Sequence, residues 1–211
     1  MRLGSAALAA LQAEITGRLN VGDELVVAGD IALFGTERLI EENQEKLKKR
    51  FSAGFVNQSL RTCRESRAVK AGETPQTSRA WKMAEAAGAN ALYAMGEGGF
   101  LSALWKMAEA SQTGLTADLR HVPVRQETIE ICEEFDINPY RLQSEGALLI
   151  GLAGGHALAE KLRREGIAAE VIGQTNASND RLLYSGENAR FLERPSADEL
   201  YKGLENRIWQ E

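Results

Sequence analysis

Ala147-Leu148-Leu149-Ile150-Gly151-Leu152 decides the fold. It is a short apolar run bounded by Gly146 before it and Gly154-Gly155 after it. A run of this length between turn residues reads as a central, buried strand. Gly154-Gly155 turns the chain, and His156 to Glu165 then has helical spacing until Gly166 stops it. Ala168 to Ile172 follows as another strand. Strand, turn, helix and strand in this order predict an α/β fold.

The same alternation extends outward from this unit. Upstream, Leu25 to Ala28, Ala91 to Met95 and Leu115 to Leu119 read as strands. Helices are predicted over Ser5 to Leu19, Glu37 to Arg50 with Thr36 as its cap, and Gln76 to Ala87 after Thr74-Pro75. Two more are predicted over Phe100 to Ala110 and Pro123 to Phe135, while Phe51 to Arg67 reads as helical only in its second half. Downstream, Arg181 to Tyr184 and Ala189 to Leu192 flank Ser185-Gly186-Glu187-Asn188 as a hairpin, which predicts a mixed sheet and not a purely parallel one. Ser196 and Glu199 have capping-box spacing at the head of a last helix reaching Trp209. The hexapeptide Trp-Lys-Met-Ala-Glu-Ala occurs at Trp81–Ala86 and again at Trp105–Ala110. Both copies read as helices docked on the same sheet through a Trp/Met face.

The 211 residues suffice for one large domain or two small ones, with a core that needs neither disulfides nor metal. A net charge of −5 argues against a surface that wraps nucleic acid. No apolar run is long enough to span a membrane, and Glu14 and Arg18 break the early Ala/Leu stretch before it can serve as a signal peptide. The expectation is a cytoplasmic, reduced protein. Two cysteines, Cys63 and Cys132, and two histidines, His121 and His156, lack metal-ligand spacing.

Three places carry candidate chemistry. Gly96-Glu97-Gly98-Gly99 joins a strand to a helix, and the free N–H groups of that helix start suit an anion or phosphate. The alternative is a plain tight turn, since the loop lacks both the P-loop and the dinucleotide pattern. Ser144-Glu145-Gly146 precedes the central strand. Glu145 could hold a ligand amine, a metal-bound water or a neighbouring loop, or could fix the strand entry by accepting backbone hydrogen bonds. Gly154-Gly155-His156 is a weaker strand–turn–helix site. Arg61, Arg64, Arg67 and Lys70 form a basic stripe that suits either an acidic partner or solvent. Cys132 reads as core, and Cys63 between Thr62 and Arg64 has no triad partner.

Gly98-Gly99-Phe100-Leu101-Ser102-Ala103-Leu104 and Met107-Ala108-Glu109-Ala110-Ser111 resemble a glycine-loop and helix segment of the aminoimidazole ribonucleotide synthetase (PurM-like) superfamily. So do Val122-Pro123-Val124-Arg125, Asn138-Pro139-Tyr140-Arg141-Leu142 and Ser144-Glu145-Gly146-Ala147-Leu148-Leu149-Ile150. The chain looks most like the C-terminal domain of HypE-like hydrogenase maturation proteins. The resemblance implies a mixed sheet with helices packed on it over residues 21–211, after an N-terminal helical segment at 1–20.

In the superfamily, an N-terminal domain supplies the dimer core, the magnesium aspartates and much of the ATP site. The resemblance therefore implies a standalone accessory or binding domain with no catalytic residues, metal or cofactor of its own. ATP and magnesium enter only if a separately encoded N-terminal-type domain completes a split phosphoryl-transfer enzyme. A small anion sensor is the other alternative. Expected partners are a second copy of the chain or such a domain, with a phosphate-containing small molecule as ligand, and neither nucleic acid nor membrane. Two departures accompany the likeness. Glu97 stands where the family places an arginine before the two glycines, and Ile208-Trp209-Gln210-Glu211 replaces the reactive cysteine tail of HypE-like proteins.

Overall fold

The computed structural model describes residues 3–205. The chain begins with helix α1 (Ser5–Ala13) and strands β1 (Thr16–Gly17) and β2 (Glu24–Ala28). Four helices follow: α2 (Leu33–Glu42), α3 (Gln44–Arg50), α4 (Ala53–Glu65) and α5 (Arg79–Ala86). Next come β3 (Ala91–Ala94), α6 (Gly99–Ser111), β4 (Gly114–Asp118), α7 (Gln126–Glu134) and β5 (Leu148–Leu152). Helix α8 (Gly155–Arg164), β6 (Ala169–Asn176), β7 (Arg181–Ser185), β8 (Asn188–Phe191) and α9 (Leu200–Glu205) complete the described chain.

The strands form one mixed sheet in the order β1-β3-β5-β2-β6-β4-β7-β8. Neighbours run antiparallel except β4 and β7, which are parallel. Strand β5 lies between β3 and β2 with every residue buried, as its unbroken apolar run requires. Successive side chains point to opposite faces of a strand. Thus Leu149, Leu25 and Val27 enter one core, while Leu148, Ile150, Val26 and Ala28 enter another. Helix α6, with Phe100, Leu104 and Met107 fully buried, packs into the first core. Helices α5 and α8 cover the second. Leu11, Ile15 and Leu19 carry the N-terminal stretch into the first core, and β1 adds to the sheet edge through β3.

Several local expectations shift for identifiable reasons. The helix expected over Glu37 to Arg50 starts earlier, at Leu33, so Thr36 is a buried helical residue and not a cap. It breaks at Asn43, whose side-chain Nδ2 donates to Leu39 O at 3.0 Å. Helix α4 occupies nearly all of the ambiguous stretch because Ser52 caps it, accepting from Phe55 N at 3.2 Å. Thr74-Pro75 opens only a short 3-10 turn, and Ser78 is the true cap of α5. The expected N-terminal helix stops at Ala13. Ser196 and Glu199 form no capping box: Ser196 Oγ accepts from Arg141, and Glu199 accepts from Asn138 N at 2.7 Å. The stretch of that expected last helix beyond Glu205, with the tail Ile208–Glu211, lies outside the described residues.

The two Trp-Lys-Met-Ala-Glu-Ala helices do dock on the same sheet, but on opposite faces. Trp81 is 3% exposed and belongs to the core beneath α5, where its indole N–H donates to Glu85. Trp105 is half-buried at the edge of the other core.

Candidate functional site

Antiparallel pairing sets Ala28 and Ala94 opposite Leu148, so the ends of β2 and β3 lie beside the start of β5. The loops after Ala28, after Ala94 and before Leu148 therefore converge at one end of the sheet. This juxtaposition brings Gly96, Glu97, Gly98 and Gly99 next to Glu145 and Gly146. Two backbone bonds tie the loops together: Met95 N donates to Ala147 O at 2.9 Å, and Ser144 N donates to Gly96 O at 3.2 Å.

The glycine pair is demanded by the backbone. Gly98 and Gly99 both have positive φ, 78° and 65°. A Cβ on Gly99 would stand 2.5 Å from Leu142 O, well inside contact distance. Residues 141–142 thus pack directly on the start of α6, and no larger residue fits between.

A carboxylate of the chain itself bonds the residue that precedes this helix start. Gly98 N–H donates to Asp198 Oδ2 at 2.6 Å. The other carboxylate oxygen accepts from Leu200 N at 2.8 Å and Gln143 N at 3.2 Å. Asp198 is 4% exposed. Burial pushes its carboxyl above the ordinary Asp range, outweighing the three N–H bonds, and the Glu97 charge adds to the rise. Glu97 itself is exposed and accepts from the Tyr201 hydroxyl at 3.3 Å. These two carboxylates place negative charge beside the α6 start, which opposes a further anion there.

Glu145 is exposed and accepts from the Gln143 side chain at 3.0 Å, not from backbone. The residue that fixes the strand entry is its neighbour Ser144. Its Oγ accepts from Ala32 N at 2.9 Å and donates to Leu142 O at 2.8 Å. Ala32 needs that anchor, because it is a non-glycine residue at φ 61° capping α2. Gly146, at φ 93°, lies against Arg67, where a Cβ would meet Arg67 Cδ at 2.7 Å. Glu145 and Gly146 line a cleft of about 420 Å³ with Phe34, Arg67, Lys70 and Met95. The Arg67 guanidinium lies 5.1 Å from the Phe34 ring centroid.

Gly154, Gly155 and His156 lie at the opposite end of β5, apart from the glycine loop. There Glu24 caps α8, accepting from His156 N at 3.3 Å. The His156 ring is largely exposed, 3.6 Å from the other Glu24 oxygen. At each of the two helix starts read as anion sites, a carboxylate of the chain thus accepts one backbone N–H.

Two of the four members of the basic stripe are paired, and Arg61 and Lys70 are exposed. Arg64 bonds Glu37 at 2.7 Å and Glu41 at 2.6 Å, and Arg67 also pairs with Glu37. Cys63 and Cys132 are buried, and burial pushes both thiols up to about 12. Among the described residues, no group of three His, Cys, Asp or Glu side chains converges as a metal site would require. No helix among them is long and apolar enough to cross a membrane.

Asp198, Ser144 and Tyr201 were not legible as site residues. Of these, only Ser144 has a local signal, its place next to the glutamate–glycine pair before the central strand.

Residues 20–184 match the family model described as AIR synthase related protein, C-terminal domain. No curated protein matches the chain by sequence. Among solved structures, the chain is similar to one titled as a HypE–HypF complex, at TM-score 0.61 and 16% identity, covering 84% of this chain and 54% of that one. It is also similar to HypE of E. coli, at TM-score 0.59 and 18% identity, covering 88% of this chain and 53% of that one. Thiamine-monophosphate kinase from Stenotrophomonas maltophilia gives TM-score 0.55 and 18% identity, covering 82% and 53%. At these identities the likeness establishes a shared fold, and the chain spans about half the length of each of these proteins.

Proposed function

Because residues 20–184 match the AIR synthase related protein C-terminal domain, the chain belongs to that family, and we propose that it is an accessory or binding domain of phosphate-handling chemistry. Its glycine loop closes over a ligand that an N-terminal-type domain holds. That second domain, or a second copy of this chain, is the proposed partner. ATP and magnesium would belong to the N-terminal-type domain and not to the residues described above. A cytoplasmic setting fits the two unpaired, buried thiols.

The observation that carries this reading is the Gly98–Asp198 hydrogen bond at 2.6 Å. A loop that already carries the Asp198 carboxylate, with Glu97 beside it, has less to offer a free phosphate, which disfavours a small anion sensor. It has more to offer as a shaped surface, held rigid by Leu142, Gln143 and Asp198. The split-enzyme alternative uses the same surface: Glu97, Gly98, Gly99 and Glu145 would face a phosphoryl-transfer site across the domain boundary. Asp198 would then have to leave the loop when that cleft closes.

Calorimetry tests the proposal. ATP and ADP with magnesium are titrated into the chain alone, and into the chain mixed with the N-terminal domain of a HypE-like protein. The expected outcome is no saturable binding to the chain alone and binding to the mixture that exceeds binding to the added domain. Tight nucleotide binding to the chain alone would overturn the accessory reading. No gain in the mixture would remove the nucleotide from it.

A further inference from the structure

We propose that the cleft between α1, α6 and the β7–β8 hairpin binds an amphipathic carboxylate, with the carboxylate head on Arg194 and the apolar body on Phe191, Leu3 and Leu8. The inference does not depend on the glycine loop. Trp105 lies seven residues beyond Gly98, about 10 Å further along the helix.

The cleft has a volume of about 570 Å³, within the usual range for small-molecule sites. Trp105 lines it. The guanidinium carbons of Arg181 and Arg194 lie 5.6 and 5.9 Å from the Trp105 ring centroid, so two like charges gather at one indole. Only one of them is compensated. Arg181 pairs with Glu109 at 2.7 Å, and both side chains are largely buried. Burial alone would raise the Glu109 carboxyl, but the bonds from Arg181 and Leu3 N outweigh it and hold the group below its ordinary value. Glu109 is therefore a fixed anion, already committed.

Arg194 is exposed, and among the described residues it forms no ion pair. Asp180 also lines the cleft but pairs with neither arginine. Two charges of the cleft are thus unpaired, the Asp180 carboxylate and the Arg194 guanidinium, and the guanidinium suits one carboxylate, bound through two parallel N–H bonds. Beside it stands Phe191, 65% exposed on the sheet-edge strand β8. Leu3 and Leu8 line the same cleft. A cation next to an exposed aromatic and two leucines selects a ligand with a charged head and an apolar body, and rejects a small inorganic ion.

The test is calorimetry with decanoate, decanol and inorganic phosphate on the full chain and on two variants, Arg194→Gln and Phe191→Ser. Both positions are exposed, so neither change opens the core, and thermal unfolding of each variant confirms the fold. Decanoate is expected to bind saturably at one per chain, and each variant to weaken it by about tenfold or more, the loss typical of a charge-assisted bond or a buried apolar contact. Decanol and phosphate are expected to bind at least about tenfold more weakly than decanoate. Absence of saturable decanoate binding would overturn the proposal. So would equal affinity for decanol or phosphate, or an unchanged affinity in Arg194→Gln.

Discussion

Gly98 N–H donates to Asp198 Oδ2 at 2.6 Å across 100 residues of sequence, and this bond closes the start of α6 with a carboxylate from the segment before α9. Asp198 also receives Gln143 N and Leu200 N, so one side chain satisfies two buried backbone donors and one half-buried donor. Removing it leaves those donors without a partner. Asp198→Ala is expected to cost about 2–4 kcal/mol, since a buried unsatisfied group costs about 1–3 kcal/mol and water can reach some of the vacated space. Urea denaturation measures this. A loss under about 0.5 kcal/mol would mean that the segment does not seal the loop.

The pH dependence has a defined sign. Burial raises the folded carboxyl of Asp198 above its ordinary value of 3.8, so the folded state binds this proton more readily than the unfolded chain. The resulting stabilisation is complete below the ordinary value and is lost as pH rises through the folded one. Wild type is therefore expected to gain stability relative to Asp198→Asn as pH falls from neutral to about 4. Denaturation of both proteins across that range checks the slope. The opposite slope would mean that the N–H bonds outweigh burial.

Gly99 and Gly154 separate two costs that glycine can hide. Both have positive φ, but a Cβ on Gly99 would meet Leu142 O at 2.5 Å, whereas nothing lies within 4 Å of one on Gly154. Gly154→Ala is expected to cost about 1–2 kcal/mol, the left-handed strain alone. Gly99→Ala adds a backbone collision and is expected to cost at least about 3 kcal/mol. Equal losses would show that residues 141–142 are free to move away from α6.

Trp81 sits in the core under α5 at 3% exposure. Trp81→Ala is expected to destabilise the chain by about 3–5 kcal/mol, the range for deleting a buried aromatic. Near-wild-type stability with altered self-association would place this face at an interface instead.

Cys63 and Cys132 are expected to resist a thiol-labelling reagent in the native protein at pH 8 and to react once denatured. Burial has lifted both from 9.0 to about 12, so little thiolate is present. Rapid native labelling at either position would contradict their burial. The same shift means that their contribution to stability holds below pH 9 and is lost as pH rises toward 12.

The parts of this architecture legible in the sequence are those with local causes. Leu148–Leu152 reads as a central strand because both faces are buried, and the hairpin reads through its Ser185–Asn188 turn. The glycine loop is located by its place between a strand and an apolar helix. Its occupant is not, because no local pattern links Gly98 to Asp198. Within the basic stripe, the partners of Arg64 and Arg67 are hidden for the same reason: Glu37 and Glu41 lie on another helix, while Arg61 and Lys70 stay exposed. Ser196 and Glu199 show the reverse error. Their spacing is that of a capping box, yet Arg141 and Asn138 reach those side chains from another loop. Tertiary contacts override a local signal wherever they satisfy the same donors.

The most direct measurement is the backbone amide resonance of Gly98, followed by NMR through a pH titration and in Asp198→Asn. A charge-accepting bond at 2.6 Å predicts a downfield, slowly exchanging amide proton that shifts as Asp198 titrates and loses that shift in the variant. A rapidly exchanging amide, unmoved by the substitution but displaced by added phosphate, would contradict the self-capped loop.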